Sequence, residues 1–229
     1  MIQRVLEPEA MDTPEEAAEY DSMDHSEVNR RFAKDVLSSG LEAMAAGAGR
    51  RELEVLDLGT GTAQIPIELC RQSEGFRISA VDLAASMLDV ARLNVEVVGC
   101  NTRIRLDLVD AKALPYNDGA FDAVVSNSIV HHIPEPVVVL AEAIRVLRPG
   151  GLFFFRDLAR PESEMELSRL VETYAADAND RQRQLFADSL RAALSLDEMR
   201  DLARRLGRSA EEVRPTSDRH WTWSFRSTD

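Results

Sequence analysis

Short apolar runs alternate with helical patterns through the middle of the chain, and few folds accommodate this order. The runs predict strands at 54–58, 77–81, 104–109, 121–126 and 151–156, and the stretches between them predict helices at 63–71, 86–97 and 136–147. Each strand is apolar along most of its length, which is typical of strands covered on both faces. The alternation therefore predicts an α/β fold built on a doubly wound, mostly parallel sheet.

Helical patterns flank this core on both sides. Apolar residues recur at helical spacing from residue 26 to residue 44 and predict one amphipathic helix. Residues 1–20 are polar, acidic and broken by prolines, which predicts a mobile arm or the start of a helix rather than a packed element. Beyond Pro161, the predicted elements are helices at 162–176, 181–193 and 196–206 and two strands, 212–216 and 220–225, that form a hairpin on the sheet edge.

The chain is strongly acidic. Its 27 Lys and Arg residues and 40 Asp and Glu residues give a formal charge of −13, which repels polyanions and anionic lipid surfaces. We therefore expect neither a nucleic acid nor a membrane as a partner. No apolar run approaches the ~20 residues that span a bilayer, and the N-terminal residues lack the layout of a signal peptide. A cytoplasmic location is the resulting expectation.

The two cysteines predict no special chemistry. Cys70 and Cys100 fall on predicted helical segments, without a CxxC motif and without a histidine at metal-ligand spacing. We interpret both as reduced, packed thiols, and the sequence predicts no metal site.

A glycine-rich turn follows the first predicted strand and leads into a helix. It reads Asp57-Leu58-Gly59-Thr60-Gly61-Thr62-Ala63. The two glycines permit a tight turn and a close approach of the backbone to a ligand, and the helix that follows offers unpaired N–H groups. The turn predicts a site for a nucleotide-like ligand.

Two details of this turn distinguish between possible ligands. The dinucleotide fingerprint has a third glycine three positions after the second, where this chain has Gln64. In addition, Asp57 precedes the first glycine, and its carboxylate would repel a pyrophosphate but attract an ammonium or sulfonium group. The turn therefore favours a cationic ligand over the diphosphate of an NAD(P)-dependent oxidoreductase, which is retained as an alternative.

Further acidic residues stand at the ends of the next strands. Asp82 ends the second predicted strand and suits two ribose hydroxyls, and Asp110-Ala111 follows the third. Each acid taken alone also fits a helix cap or a turn. Later the chain reads Phe121-Asp122 and Leu147-Arg148-Pro149-Gly150-Gly151. Over residues 50–160 this combination resembles the class I S-adenosylmethionine-dependent methyltransferases, in the branch that modifies small molecules.

The resemblance implies a Rossmann-like, seven-stranded sheet with S-adenosylmethionine as cofactor and S-adenosylhomocysteine as product. In this reading Asp57 holds the amino group of the cofactor through a water or a backbone intermediary, Asp82 binds the ribose hydroxyls and Asp110 accepts from the adenine amino group. The cofactor-binding residues that it implies are Tyr20, Arg30, Asp57, Gly59, Thr60, Gly61, Asp82, Leu83, Met87, Asp110, Ala111 and Asn127. It also implies one domain over 1–229, with a helical lid (1–49), a cofactor-binding core (50–160) and a helical cover with the hairpin (161–229).

Two histidines, His131 and His132, follow the fourth predicted strand. Either can act as a general base toward a methyl acceptor, and either can equally be a structural histidine bonded to a backbone carbonyl. We take His132 as a candidate catalytic residue, together with Asp157 after the fifth strand, for which a surface salt bridge is the alternative.

The expected activity is methyl transfer to a small-molecule acceptor through an O, N, S or C nucleophile. Positioning supplies much of the acceleration in such a displacement, so no strong base is required. The alternative from another class is a noncatalytic S-adenosylmethionine sensor or partner-binding module. We expect a monomer or a homodimer.

Overall fold

A computed structural model of the chain describes residues 2–8, 12–49 and 51–228. The strands are β1 (Leu53–Leu58), β2 (Phe76–Asp82), β3 (Ile104–Leu108), β4 (Phe121–Asn127), β5 (Leu147–Leu158), β6 (Val213–Pro215) and β7 (His220–Arg226). The helices are α1 (Pro14–Ser22), α2 (Ser26–Val36), α3 (Glu42–Gly47), α4 (Gln64–Gln72), α5 (Ala85–Val97), α6 (Pro136–Val146), α7 (Glu164–Tyr174), α8 (Asp180–Ala192) and α9 (Leu196–Arg205).

The strands form a seven-stranded sheet in the order β3-β2-β1-β4-β5-β7-β6. β1 pairs in parallel with both β2 and β4, and β2 pairs in parallel with β3, whereas β6 and β7 are antiparallel. The predicted α/β sheet with its C-terminal hairpin is therefore confirmed. Because the strand order reverses direction between β1 and β4, the carboxyl ends of these strands border the crevice in which doubly wound sheets bind ligands.

The contacts divide the chain into two compact units. The larger unit contains Ala10–Asn127, Val138–Phe155 and Ser224–Asp229, and the smaller contains Met1–Glu9, Ser128–Val137 and Arg156–Trp223. The organisation as one domain over 1–229 stays a prediction.

The core of the larger unit is the apolar interior of the parallel strands. Val55 of β1 is fully buried and stands in register with Ile78 of β2 and Ala123 of β4. In β5, the ring of Phe153 stacks on Phe155 at 4.3 Å between centroids and on Phe225 at 4.7 Å. Each buried side chain of this size stabilises the fold by roughly 1.5–3 kcal/mol, so these strands form a rigid base for the loops at their ends.

The N-terminal part of the larger unit agrees only in part with the predictions. The helix predicted over 26–44 is wrong as a single helix, because a π-helical turn (Leu37–Leu41) separates α2 from α3. Gly40 has φ +119° there, a backbone conformation outside the α-helix. Of the two alternatives for residues 1–20, the structure has the helix start: Pro14 begins α1, and Thr13 and Glu16 form a capping box. The expectation that this stretch is not packed is wrong, because Ala17 of α1 is fully buried against Ala84 and Met87.

One cysteine also lies elsewhere than predicted. Cys70 is on α4, but Cys100 lies in the loop after α5 rather than on a helix. Gly99 has φ +70°, and this left-handed residue ends the helix as glycine commonly does.

The smaller unit is mostly helical around its own core. Ser163, Asn179 and Ser195 each accept a hydrogen bond from the backbone of the first turn of the helix that follows, so α7, α8 and α9 all begin at a capping side chain. Leu170 and Leu190 are fully buried between these helices. Among the residues that the structure describes, no helix is long and apolar enough to cross a membrane.

Candidate functional site

The glycine turn between β1 and α4 has an unusual backbone. Gly59, Gly61 and Ala63 all have positive φ values, 70°, 54° and 63°. When residues with positive φ alternate with residues with negative φ, their backbone N–H groups point to one side and form a concave surface for a ligand. Ala63 stands immediately before α4, and its small side chain tolerates a conformation that a β-branched residue would resist.

Asp57 lies at the base of this turn. It is 1% exposed, and in the described part of the chain its Oδ2 atom has no hydrogen-bond partner. Burial disfavours the ionised carboxylate and, with a further contribution from the nearby Asp82 carboxylate, raises the pKa of Asp57 to about 7. A cationic group beside Oδ2 would offset the free-energy cost of burying the ionised carboxylate, so the site fits an ammonium-bearing ligand.

Asp82 is joined to the same turn by hydrogen bonds. Its Oδ2 accepts from Gly61 N at 2.7 Å, and its Oδ1 accepts from Ala84 N at 2.9 Å. Burial raises its pKa, although these backbone donors oppose the shift. The carboxylate has further lone pairs, and two adjacent hydroxyl groups of a sugar are suitable donors to them.

Helix α1 covers the glycine turn. A Cβ atom at Gly61 would lie 3.7 Å from Cε1 of Tyr20, so the tyrosine ring borders the turn. Asp21 accepts hydrogen bonds from Gln64 at 3.1 Å and from Asn94 at 2.9 Å. Burial is the main cause of the raised pKa of Tyr20, so its phenol keeps its proton and can donate a hydrogen bond.

The other predicted cofactor residues differ in burial and in their hydrogen bonds. Met87 is 5% exposed and packs with α1, whereas Leu83 is 41% exposed. Asp110 accepts from Lys112 N at 2.9 Å, Ala111 is buried, and Asn127 ends β4.

Arg30 is not brought to the glycine turn by a described contact. Its side chain is 68% exposed and lies 3.9 Å from Glu68 of α4. An ion pair this exposed stabilises a protein little, and the predicted cofactor role of Arg30 stays a prediction.

The two candidate catalytic residues belong to a buried cluster in the smaller unit. Asp157 is fully buried and accepts four hydrogen bonds. Three come from the backbone N–H groups of Val130, His131 and Leu158, and the fourth from His131 Nδ1 at 2.6 Å. Although burial opposes it, the Asp157 carboxylate holds the pKa of His131 above its usual value.

His132 lies next to this pair. Its ring centroid is 4.1 Å from that of His131, and its Nδ1 is 3.1 Å from Glu7 Oε1. Burial, with the neighbouring His131, lowers the pKa of His132 to about 3. The structure therefore places His132 and Asp157 in one cluster with two residues, Glu7 and His131, that were not predicted as site residues.

Sequence reasoning missed three contributors to these arrangements. Asp21 had a signal, since it follows Tyr20 directly in the predicted lid. His131 was considered and set aside for its neighbour. Glu7 had no signal, because only the tertiary fold brings it to His131, at 3.3 Å between Oε1 and Nε2.

Comparison with known proteins agrees with this geometry. The model of a family described as a methyltransferase domain matches residues 56–155, which include the glycine turn, Asp57 and Asp82. These residues form a class I S-adenosylmethionine-dependent methyltransferase domain. The match begins within β1 and ends within β5, so it contains β2, β3 and β4 and the loops between them.

Two curated relatives illustrate the relationship. The malonyl-[acyl-carrier protein] O-methyltransferase of Geobacter sulfurreducens is 31% identical over 183 residues, which is 78% of this chain and 65% of that methyltransferase. The ubiquinone/menaquinone biosynthesis C-methyltransferase UbiE of Francisella philomiragia is 28% identical over 170 residues, 71% of this chain and 63% of the relative. The matches thus span less than two thirds of these methyltransferases.

Solved methyltransferase structures have the same fold. The plantazolicin methyltransferase BpumL, in complex with a monoazolic desmethylPZN analog and SAH, matches 93% of this chain and 89% of its own with a TM-score of 0.69 at 13% identity. A SAM-dependent methyltransferase from Aquifex aeolicus matches 93% of this chain and 98% of its own with a TM-score of 0.58 at 17% identity. At these identities, the likeness is one of fold.

Proposed function

We propose that this chain transfers a methyl group from S-adenosylmethionine to a small-molecule acceptor. The single observation that carries the proposal is the Asp57 carboxylate, which is buried beside the glycine turn with an oxygen that lacks a hydrogen-bond partner among the described residues. A buried carboxyl group in this state is either protonated or paired with a positive partner. The methionine amino group of the cofactor is such a partner, and family membership supports the assignment.

The residues of the larger unit have distinct proposed roles. Asp57 holds the ammonium group, and Asp82 accepts from the ribose hydroxyls while it fixes Gly61. Tyr20 donates a hydrogen bond from the lid, and α1 excludes water from the turn. The proposal retains Gly59, Thr60, Leu83, Met87, Asp110, Ala111 and Asn127 as cofactor contacts.

When bound, S-adenosylmethionine supplies an electrophilic methyl group. The protein contributes mainly by holding the cofactor rigidly and in one orientation, which lowers the entropic cost of the reaction. This proposal requires no strong base, so the catalytic roles of His132 and Asp157 stay predictions.

The relatives support a small-molecule acceptor. Their names refer to a malonyl group on an acyl carrier protein, to quinones and to plantazolicin. The net charge of −13 disfavours nucleic acid as the acceptor.

A binding titration tests the cofactor assignment. We expect S-adenosylhomocysteine to bind and NADH not to bind when each is titrated calorimetrically into the protein. Asp82→Asn should weaken S-adenosylhomocysteine binding by roughly 10- to 100-fold, because a hydrogen bond to a charged group contributes about 1.5–3 kcal/mol. Asp89→Asn, which changes a carboxylate that is 75% exposed on α5, is the matched control. A preference for NADH would contradict the proposal.

Turnover separates an enzyme from a sensor. Conversion of S-adenosylmethionine to S-adenosylhomocysteine, followed by mass spectrometry over a panel of small hydroxyl, amine, thiol and carbon acceptors, should rise above the acceptor-free rate. Tight cofactor binding without turnover on any acceptor would favour the sensor.

A further inference from the structure

Three potential ligand atoms converge in the smaller unit, from the N-terminal segment and from the turn that follows β4. Glu7 Oε1 lies 3.3 Å from His131 Nε2 and 3.1 Å from His132 Nδ1, and the three residues can place ligand atoms within 4.8 Å of one another. In a tetrahedral zinc site with bonds of about 2.0–2.2 Å, neighbouring ligand atoms are roughly 3.3 Å apart. The two distances from Glu7 Oε1 thus match the separation of neighbouring ligand atoms in such a site.

The hydrogen bonds of the histidines point their lone pairs into this space. His131 Nδ1 is bonded to Asp157 Oδ1 at 2.6 Å, so a neutral His131 carries its proton on Nδ1 and presents a lone pair from Nε2. His132 bonds to the carbonyl of Pro8, and its Nδ1 has no hydrogen-bond partner within the described segments. Glu7 also accepts from Ser189 Oγ, at 3.3 Å to Oε1 and 3.4 Å to Oε2. When His131 carries a proton only on Nδ1, the lone pairs of its Nε2 and of His132 Nδ1 face Glu7 Oε1, and a cation or a proton between them relieves the repulsion.

Asp157 has the position of an outer-shell ligand partner. Histidines that bind metals usually donate their other ring N–H to a carboxylate, which fixes the tautomer and makes the ligand nitrogen more basic. Asp157 does this for His131, and backbone N–H groups on both sides hold the carboxylate in place. Its complete burial is thereby explained by an arrangement that orients His131.

The N-terminal segment is held where Glu7 can act as a ligand. Arg4 donates to the carbonyl oxygens of Ala192, His131 and Ile133, and the backbone N–H of Val5 donates to Arg191 O at 3.2 Å. The Glu7 side chain is 12% exposed. An ion would thus have a pre-organised carboxylate, which lowers the entropic cost of binding.

We propose that Glu7, His131 and His132 bind a divalent transition-metal ion, with Zn²⁺ as the best fit to a set of two imidazoles and one carboxylate. The His132 side chain is 22% exposed, and a water molecule would supply the fourth ligand of a tetrahedron. The site fixes the N-terminal segment to the turn after β4, and it does not depend on the proposed methyl transfer.

The test uses the full chain, freed of metal with a chelator. Calorimetric titration with ZnCl₂ should give one ion per chain, and CoCl₂ should give the intense visible absorption of tetrahedral Co²⁺. Glu7→Gln and His132→Gln should each weaken Zn²⁺ binding at least tenfold, and Asp157→Asn should weaken it by roughly 10- to 100-fold through His131. His220→Gln is the matched control, because His220 bonds Ser217 and is not one of the three proposed ligands, and its Zn²⁺ affinity should match that of the wild type.

Two results would overturn the proposal. Absence of Zn²⁺ binding at millimolar concentration would mean that a proton, rather than a metal, occupies the cluster. Stoichiometric binding that survives in Glu7→Gln and His132→Gln would identify an adventitious ion only. Because Glu7 lies in an irregular N-terminal segment, Glu7→Gln keeps the test decisive even if a histidine variant fails to fold, as circular dichroism would reveal.

Discussion

Asp57 should make the ligand-free protein less stable at neutral pH than a neutral side chain would. Its pKa is about 7 in the folded chain, against 3.8 for the unperturbed side chain. The folded state therefore holds the proton more tightly than the unfolded state, and stability falls as the pH rises from about 4 through 7. A shift of about 3 pKa units corresponds to as much as ~4 kcal/mol at pH 8.

Asp57→Asn removes this cost, since an amide has the shape of the protonated acid and no charge. We expect the free energy of unfolding at pH 8, measured by urea denaturation with circular dichroism, to increase by a few kcal/mol relative to the wild type. At pH 4 the difference should vanish. Asp197→Asn is the control, because that side chain is 84% exposed and its loss should change stability by less than about 0.5 kcal/mol.

The same substitution should lower cofactor affinity. In the wild type, S-adenosylhomocysteine binding should weaken about tenfold for each pH unit below about 6, as the carboxylate that faces the ligand ammonium becomes protonated. In Asp57→Asn, affinity should be low and nearly independent of pH over this range. The reasoning is refuted if Asp57→Asn is less stable than the wild type at pH 8, or if it binds S-adenosylhomocysteine normally.

Three further substitutions test other parts of the structure. Asp157→Asn leaves His131 without its buried carboxylate and should lower the free energy of unfolding by roughly 3–5 kcal/mol; a loss under about 1 kcal/mol in urea denaturation would contradict the described pair. Gly151→Ala places a Cβ atom 2.7 Å from the backbone oxygen of Arg148 and should cost about 1–3 kcal/mol, so an unchanged melting temperature would count against this packing. Asp21→Ala removes the lid's bond to Gln64 and should speed S-adenosylhomocysteine release roughly tenfold in stopped-flow measurements, whereas an unchanged rate would mean that α1 is not the lid.

The cofactor-binding residues could be predicted from the sequence because the patterns that indicate them are local. Asp57 lies near the carboxyl end of one apolar strand and Asp82 ends the next. Because the carboxyl ends of parallel strands meet at one edge of a sheet, the strand pattern predicts that the two residues are close. The break at Gly40 was missed because the apolar spacing continues across it, whereas the backbone there leaves the α region.

The histidine cluster could be predicted from the sequence only in part. His131 and His132 are adjacent in the chain, and sequence spacing does not tell which ring is buried against Asp157. The contact with Glu7 joins residues far apart in the sequence, and it depends on backbone hydrogen bonds of the N-terminal segment that have no periodic pattern. Long-range contacts of irregular segments are therefore where the sequence was least informative.

The anchored N-terminal segment has a practical consequence for anyone who handles this protein. Trimming the chain by its first eight residues would remove the hydrogen bonds of Arg4 and the Glu7 carboxylate and would open the His131 ring to water. Affinity tags and cleavage sites therefore belong after β7. A variant shortened at the N-terminus lacks Glu7, and we expect it to bind Zn²⁺ more weakly even if it remains folded.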